Sequence, residues 1–410
     1  MFEKKYISQA EALQLLIDTV KSVLPSENIG IEKGYGRTTS SDIYAPEDLP
    51  GFARSTVDGF AVRATDTYGA KETMPAYLTV TAEVLMGQAP GFEINNGEAA
   101  KIPTGGMMPR GADAVIMLEH AQVGAASVLE ALKPVAAGEN VIRADDDVKK
   151  GDPVIFKGRT LRPQDIGALA GLGITVVDVV RKPVVSIIST GDEIVPYTER
   201  IRPGQVRDIN SFTLAGLIYR DGAAPVRKGI FRDDYETIRQ ALSRAVDDSD
   251  ISLIIGGTSV GVRDMTSDII ASSTDGKLLF HGVAIKPGRP LIGGVIDSKP
   301  VLGLPGHPAA VAICYEAYVR PLLLRMLGVK SENVFRKTVT ATLAKRVASA
   351  PGRQDHIRVR IEAREGGYVA IPVMGKSGLI TTLVAADGIV IIPENKLGID
   401  PGENVMVHLF

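Results

Sequence analysis

Ile251-Ser252-Leu253-Ile254-Ile255-Gly256-Gly257-Thr258-Ser259-Val260-Gly261-Val262-Arg263-Asp264 is the stretch that decides the fold. An apolar run, Ile251 to Ile255, follows the acidic cluster Asp247, Asp248 and Asp250. It leads into a glycine-rich loop and then an acid. The order predicts a buried strand, a tight loop and a helix beginning near Asp264. Paired glycines at a strand end let a ligand approach the backbone and leave N–H groups facing it. The helix start adds its positive end. Such a loop suits a phosphate or another oxyanion, and an aspartate in it could hold a divalent metal against that anion. An ordinary strand-to-helix turn has the same pattern.

Working outward, the rhythm from Pro183 is β-α-β. Val184 to Ile188 reads as a strand, Ser211 to Tyr219 and Tyr235 to Val246 as helices, Leu291 to Ile296 and Val301 to Leu304 as further strands. His307 to Leu327 reads as a long helix after Pro305-Gly306. Apolar strands alternating with helices predict an open, mostly parallel sheet covered on both faces. Ligands bind outside the carboxyl ends of such strands. Three loops should therefore converge there: Thr190-Gly191-Asp192-Glu193, Gly256 to Gly261, and Leu304-Pro305-Gly306-His307-Pro308. No GxxxxGK[ST] loop and no GxGxxG occurs, which argues against ATP hydrolysis and dinucleotide redox chemistry. Ala284-Ile285-Lys286-Pro287-Gly288-Arg289-Pro290 places two cations in a proline-stiffened loop, which suits a fixed anion or a solvated turn.

On either side of this core the chain is richer in β structure. Ser8-Gln9-Ala10-Glu11 is a capping box, with Ala12, Leu15, Leu16, Thr19, Val20 and Val23 at helical spacing before Pro25. From 26 to 180, short β-prone runs alternate with Gly and Pro: Tyr77 to Leu85, Ala114 to Leu118, Ser127 to Leu132 and Pro153 to Phe156. Beyond 330, Ile357 to Ile361 and Ile389 to Ile392 predict a small C-terminal β domain. At 410 residues, the chain suits about two to four domains. A formal net charge of −2 argues against a general nucleic-acid binder. Cys314 is the one cysteine, so no intrachain disulfide forms, and its apolar helix makes it core packing. Met1 to Ala10 lacks a signal-peptide core and charges interrupt every long apolar run, so the expectation is a cytoplasmic protein. None of the five histidines stands at zinc spacing.

The early β region also carries polar constellations. Phe52-Ala53-Arg54-Ser55-Thr56-Val57-Asp58-Gly59-Phe60-Ala61 mixes aromatics, a cation, hydroxyls and one acid, with Gly59 allowing an unusual backbone angle beside Asp58. Pro103-Thr104-Gly105-Gly106 and Gly111-Ala112-Asp113-Ala114-Val115-Ile116 follow; hairpin turns read the same way. Asp145-Asp146-Asp147 could bind Mg2+ or form a solvated turn.

Together, in order, these motifs resemble the MoeA family, the molybdopterin molybdenumtransferases, which includes the gephyrin E domain. The carrying residues are Pro50 to Ala64, Pro103 to Gly106, Gly111 to Val115, Ser189 to Glu193, Gly256 to Asp264, Ile285 to Gly288 and Leu304 to Pro308. The resemblance implies an elongated multidomain protomer. An α/β molybdopterin-binding domain of MoaB/Mog-like fold would comprise 1–25 plus 179–329. A β-rich linker domain would comprise 26–46 plus 148–178. A second β-rich domain, 47–147, would carry the Asp58 and Thr104 motifs, and 330–410 would form a β-barrel-like domain. It implies a homodimer in which Asp58 and Thr104 of one subunit face Glu193, Asp264 and Lys286 of the other.

The implied reaction inserts molybdenum from molybdate into adenylylated molybdopterin with Mg2+-dependent release of AMP. Asp58, Glu193 and Asp264 are the expected Mg2+ contacts. Asp147, Thr190, Asp233, Gly256, Gly257, Ser259, Gly261, Arg289, Pro305, Pro308, Arg353 and Ser377 are the expected substrate contacts. A molybdopterin adenylyltransferase is an expected partner, while nucleic acid and membrane are not. The chain departs from the family pattern at Phe60 (usually Tyr), Asp145 (commonly Gly), His307 (usually Asn) and Asp387 (usually Asn). Two other readings fit: an adenylyltransferase using Mg-ATP, and a non-catalytic scaffold.

Overall fold

The structure, a computed structural model, describes residues 6–256, 260–330 and 337–410, without the side chains of 125 and 260–264. Its centre is a six-stranded sheet in the order Ala224–Phe231, Val184–Thr190, Ile251–Gly256, Lys299–Pro305, Ile292–Ile296, Lys277–His281. The first four strands run parallel, and the last two add an antiparallel edge. Side chains alternate between two cores. Val185, Ile187, Leu253 and Leu302 face one, with Leu214, Tyr318 and Leu322. Ile188, Ile254 and Val301 face the other, with Ile238, Leu242 and Ile270. Burial on both faces explains the nearly unbroken apolar strands.

The connections define the site. Val184–Thr190 leads through the helix Asn210–Arg220 to the strand on one side. Its neighbour Ile251–Gly256 leads through the helix Val260–Ser272 to the far edge on the other side. Adjacent strand ends whose chains depart in opposite directions leave a crevice between them.

Three helices differ from their sequence patterns. The N-terminal helix is capped by Ser8, whose Oγ accepts the Glu11 N–H at 3.2 Å, but it ends at Ile17. Thr19 donates its hydroxyl to the Leu16 carbonyl at 2.6 Å, which competes with further helical turns. Ala12, Leu16 and Val20 still join the core of the central sheet. The helix after the glycine-rich loop starts at Val260, so Asp264 lies inside it; one glycine, Gly261, does not break a helix. The long helix runs from Pro308 to Met326 with a π-helical turn at Tyr315–Val319. Pro321 has no N–H to return to the Ala317 carbonyl, which accounts for the wider turn before it. A fourth helix, Pro163–Gly171, lies in the region read as β-rich; Asp165 accepts the Arg162 N–H at 2.8 Å, closing its first turn.

The strands Gly59–Val62, Ala76–Glu83, Glu98–Ile102, Ala114–Met117, Ala121–Val123 and Val128–Ala131 form a second six-stranded sheet. Gly59 is required there for space rather than for an unusual angle: a Cβ would lie 1.9 Å from the Ile116 carbonyl oxygen. Phe60 is buried in this sheet's core beside Val62 and Ile116, so a hydroxyl at its para position would need a buried partner. The C-terminal strands Thr338–Leu343, Gln354–Arg364, Gly367–Pro372, Gly388–Ile392 and Asn404–Leu409 close into a barrel. Ile285–Lys286 pairs in parallel with Gln354–Asp355, so the barrel is joined to the central unit by backbone hydrogen bonds beside Lys286. No helix among the described residues is long and apolar enough to cross a membrane.

Asp250 fixes where two parallel strands begin. Its carboxylate accepts both Arg181 amino groups at 2.7 and 2.8 Å and the Val184 N–H at 2.8 Å. Burial alone would raise its pKa, but these hydrogen bonds and the Arg181 charge hold it below the usual carboxylate range. The stabilisation is present above the unfolded carboxylate pKa and is lost as pH falls through the depressed folded value. Asp250→Asn should therefore lower the melting temperature at pH 7 by roughly 2–6 °C. The difference from wild type should shrink in acid, and a constant difference across pH would contradict this account.

Candidate active site

The first and third of the expected loops, with Gly256 at the start of the second, meet at the crevice. Ser189, Thr190, Glu193, Gly256, Gly306, His307 and Pro308 line a cavity of about 310 Å3, with Asp208 and Asn210 at the start of the next helix. Thr190 is buried, and its hydroxyl donates to the Ile255 carbonyl at 3.2 Å, tying neighbouring strand ends together. Asp208 accepts the Ser189 hydroxyl at 2.9 Å and the Ser211 N–H at 3.1 Å, which holds the helix start against the sheet.

An acidic group stands beside Thr190 and Glu193, two residues of the cavity wall. Burial, then the charges of Asp192 and Glu193, push the Asp233 pKa up, while the neighbouring Thr190 side chain works in the other direction. Asp233 Oδ1 is buried without a hydrogen-bond partner. Among the described residues, no three His, Cys, Asp or Glu side chains are gathered closely enough to hold a metal on their own. Mg2+ does not require that: it keeps several waters and takes one or two carboxylates together with substrate phosphates. A carboxylate with an unsatisfied buried oxygen and like-charged neighbours fits such a cation. Asp233 and Glu193 are the part of this chain that would hold it.

His307 and Gly256 also border a larger cleft of about 920 Å3 between the central unit and the barrel. The cleft collects Lys286, Arg289, Arg346, Arg353, Arg358 and Lys376. Its one carboxylate among the described lining residues, Asp355, is taken by Arg353 at 2.8 and 3.2 Å. The remaining positive charge suits a polyanion. Gly288 holds the Lys286-to-Arg289 loop tightly, with φ +119° and Ile285 and Cys314 at 2.7 and 2.8 Å from where a Cβ would stand. Ser377 Oγ hydrogen bonds His307 Nδ1 at 3.0 Å, and Ala309 N–H donates to the Ser377 carbonyl at 3.2 Å. His307 thus joins the central unit to the barrel across the cleft. Burial lowers the Arg358 pKa; one amino group donates to the Gly375 carbonyl at 3.0 Å, while Nε and Nη1 lack acceptors.

The expected residues therefore fall into groups. Thr190, Glu193, Gly256 and Pro308 line the crevice, Asp233 stands close by, and Lys286, Arg289, Pro305, Arg353 and Ser377 line the cleft. Gly257 and Ser259 lie outside the described residues, as do the side chains at Gly261 and Asp264. Asp58 and Thr104 meet in the second sheet's unit, where the Thr104 N–H donates to Asp58 Oδ1 at 2.8 Å and both residues are exposed. The described hydrogen bonds of this single chain place neither against Glu193 or Asp233. Asp147 is exposed on the turn whose Asp145 and Asp146 serve locally: Asp145 pairs with Lys149 at 3.4 Å and Asp146 accepts the Arg143 N–H at 2.7 Å.

The comparisons with known proteins cover almost the whole chain. The MoeA N-terminal region (domain I and II) matches residues 7–173, a probable molybdopterin binding domain matches 186–325, and the MoeA C-terminal region (domain IV) matches 340–410. Two solved structures of a molybdopterin biosynthesis MoeA protein from Pyrococcus horikoshii are 39% and 35% identical. Each covers 99% of this chain, with 99% and 100% of their own chains covered and TM-scores of 0.81 and 0.86. The chain belongs to the MoeA family. A molybdopterin molybdenumtransferase of Nostoc is 30% identical over 96% of this chain and 90% of its own length.

Against the MoeA-family pattern, the departures have local explanations. Asp145 adopts φ +69°, a left-handed conformation that Gly takes freely and Asp tolerates. Asp387 accepts the Ile361 N–H at 2.7 Å, a role open to any side-chain oxygen. Sequence reasoning missed Asn210, Asp208, Arg346, Arg358 and Lys376, which carry no motif; only the fold brings them to the site.

Asp233 gives a test with a defined sign. A raised folded pKa penalises the ionised form above that pKa, and the penalty disappears as pH falls below it. Asp233→Asn should raise the melting temperature at pH 7 by about 2 °C without Mg2+, and the gain should fade in acid. Mg2+ should stabilise wild type more than the variant. Equal Mg2+ stabilisation of both proteins would remove Asp233 from the cation site.

Proposed function

We propose that this chain is a molybdopterin molybdenumtransferase that takes molybdate and adenylylated molybdopterin and releases AMP. The supporting observation is an acid-bordered crevice lying beside a cation-lined cleft, with Gly256 and His307 in the wall of both. Adenylylated molybdopterin carries a phosphoanhydride, and molybdate is an oxyanion, so both belong on the cationic side. Lys286 and Arg289 meet them as exposed cations on a stiff loop, and Arg353 is aimed by its bidentate pair with Asp355. Ser377, oriented by His307, offers a hydroxyl to either anion. Holding both reactants in one cavity converts a bimolecular step into a positioned one. Mg2+, when bound, would neutralise phosphate oxygens and polarise the anhydride. Asp233 and Glu193 would hold it, and the reading keeps Asp264 as a further contact.

The proposal includes the assembly. Asp58 and Thr104 would reach this site from a second copy of the chain, since a single chain keeps them in a separate unit. Asp147 would accompany them as a substrate contact. The chain would divide into 1–25 plus 179–329, 26–46 plus 148–178, 47–147 and 330–410. It would act in the cytoplasm and receive its substrate from a molybdopterin adenylyltransferase. Matches at both the N-terminal and C-terminal MoeA regions favour the transferase over an adenylyltransferase.

The test is molybdate-dependent AMP release from adenylylated molybdopterin. Lys286→Ala should reduce it about 10- to 100-fold, the value of a charge-assisted contact, and Asp58→Ala should reduce it without unfolding the protein. Verified heterodimers of Asp58→Ala and Glu193→Ala subunits should recover part of the activity, because one composite site is then intact. No recovery would contradict a shared site, and ATP-dependent adenylylation instead of AMP release would overturn the reaction.

A further inference from the structure

The crevice contains an acceptor that nothing in the protein uses. Asn210 Nδ2 donates to the Gly306 carbonyl at 2.7 Å. That bond fixes the amide: reversed, it would set two acceptors against each other. Asn210 Oδ1 is consequently turned away from Gly306, and it is buried without a hydrogen-bond partner. An unpaired buried acceptor is costly and calls for a donor. Asn210 lines the crevice, whose other polar atoms include the Glu193 carboxylate, the Asp208 carboxylate and the Thr190 hydroxyl. Thr190 spends its proton on Ile255, so it too presents lone pairs. Arg207 is the cation there, with Nε already on the Glu199 carbonyl. Ile194, Val206, Ile209, Ile255 and Pro308 supply apolar wall. An apolar slot edged by acceptors is built for the flat face and N–H edge of a heteroaromatic ring, while the adjoining cleft is built for anions.

We infer that Asn210 Oδ1 accepts a hydrogen bond from the exocyclic amine of a heteroaromatic ring bound in the crevice, with the ligand's phosphate directed past His307 into the cleft. The inference rests on the proposed transferase function and deepens it by assigning a ring-recognition residue. Adenylylated molybdopterin has two such amines, one on the pterin and one on the adenine, and the crevice holds one of these rings.

Equilibrium binding to the full-length protein distinguishes them with two ligand pairs. Pterin is compared with lumazine, and AMP with inosine monophosphate; in each pair the amine is replaced by an oxo group. Wild type should prefer the amine in one pair by at least about fivefold, and that pair names the ring. Asn210→Leu should abolish the preference in that pair and leave the other pair unchanged. Circular dichroism and the melting temperature check the variant's fold, and the wild-type preference stands as evidence without it. Binding with no preference in either pair, or an equal preference in folded Asn210→Leu, overturns the role of Asn210 alone. Failure of wild type to bind any of the four ligands overturns the transferase reading as well.

Discussion

Burial of the parallel strands Val184–Thr190, Ile251–Gly256 and Lys299–Pro305 on both faces is the constraint from which the site follows. Strands covered on both sides leave only their ends free for chemistry. Hydrogen bonds along the strands fix the relative heights of those ends: Ser189 pairs with Ile255, and Gly256 with Pro305. The loops beginning there cannot drift apart. Departure of the chain to opposite sides after the first two strands then leaves a gap that side chains line but do not fill. Asp250 anchors this register at the opposite end of the sheet, far along the same strands from any ligand.

The second constraint is the attachment of the barrel. Pairing of Ile285–Lys286 with Gln354–Asp355 turns the Lys286 loop from a surface turn into one wall of a cleft. The Ser377–His307 contact forms a second attachment across the same cleft. Between these two ties, basic residues from distant parts of the sequence face one volume. An anion held there would offset the mutual repulsion of those cations, as a cation would relieve the strain at Asp233.

Much of this was legible in the sequence. Four strands of the central sheet, the polar loops after them and the cationic Lys286 loop announced themselves, because continuous apolar runs and Gly-Pro turns are local signals, whereas the partly exposed edge strands Ala224–Phe231 and Lys277–His281 carry no such run. The family resemblance added Arg353 and Ser377. Helix ends were less legible: Thr19 stops a helix by a side-chain bond that periodicity does not register, and the helix Pro163–Gly171 hid among short strands. Asn210 and Arg358 were invisible for a different reason. Each is an ordinary polar residue until tertiary structure leaves some of its hydrogen-bonding groups without partners. Gly59 shows the same limit, since the need for it comes from a neighbouring strand and not from its own backbone angle.

The most direct test of this account is a crystal structure of the protein with AMP and tungstate, located by the anomalous signal of tungsten. The account predicts tungsten in the cleft, within contact distance of Lys286, Arg353 or Ser377, and the nucleotide phosphate on the same cationic surface. Tungsten bound elsewhere, with the cleft empty at saturating ligand, would contradict it.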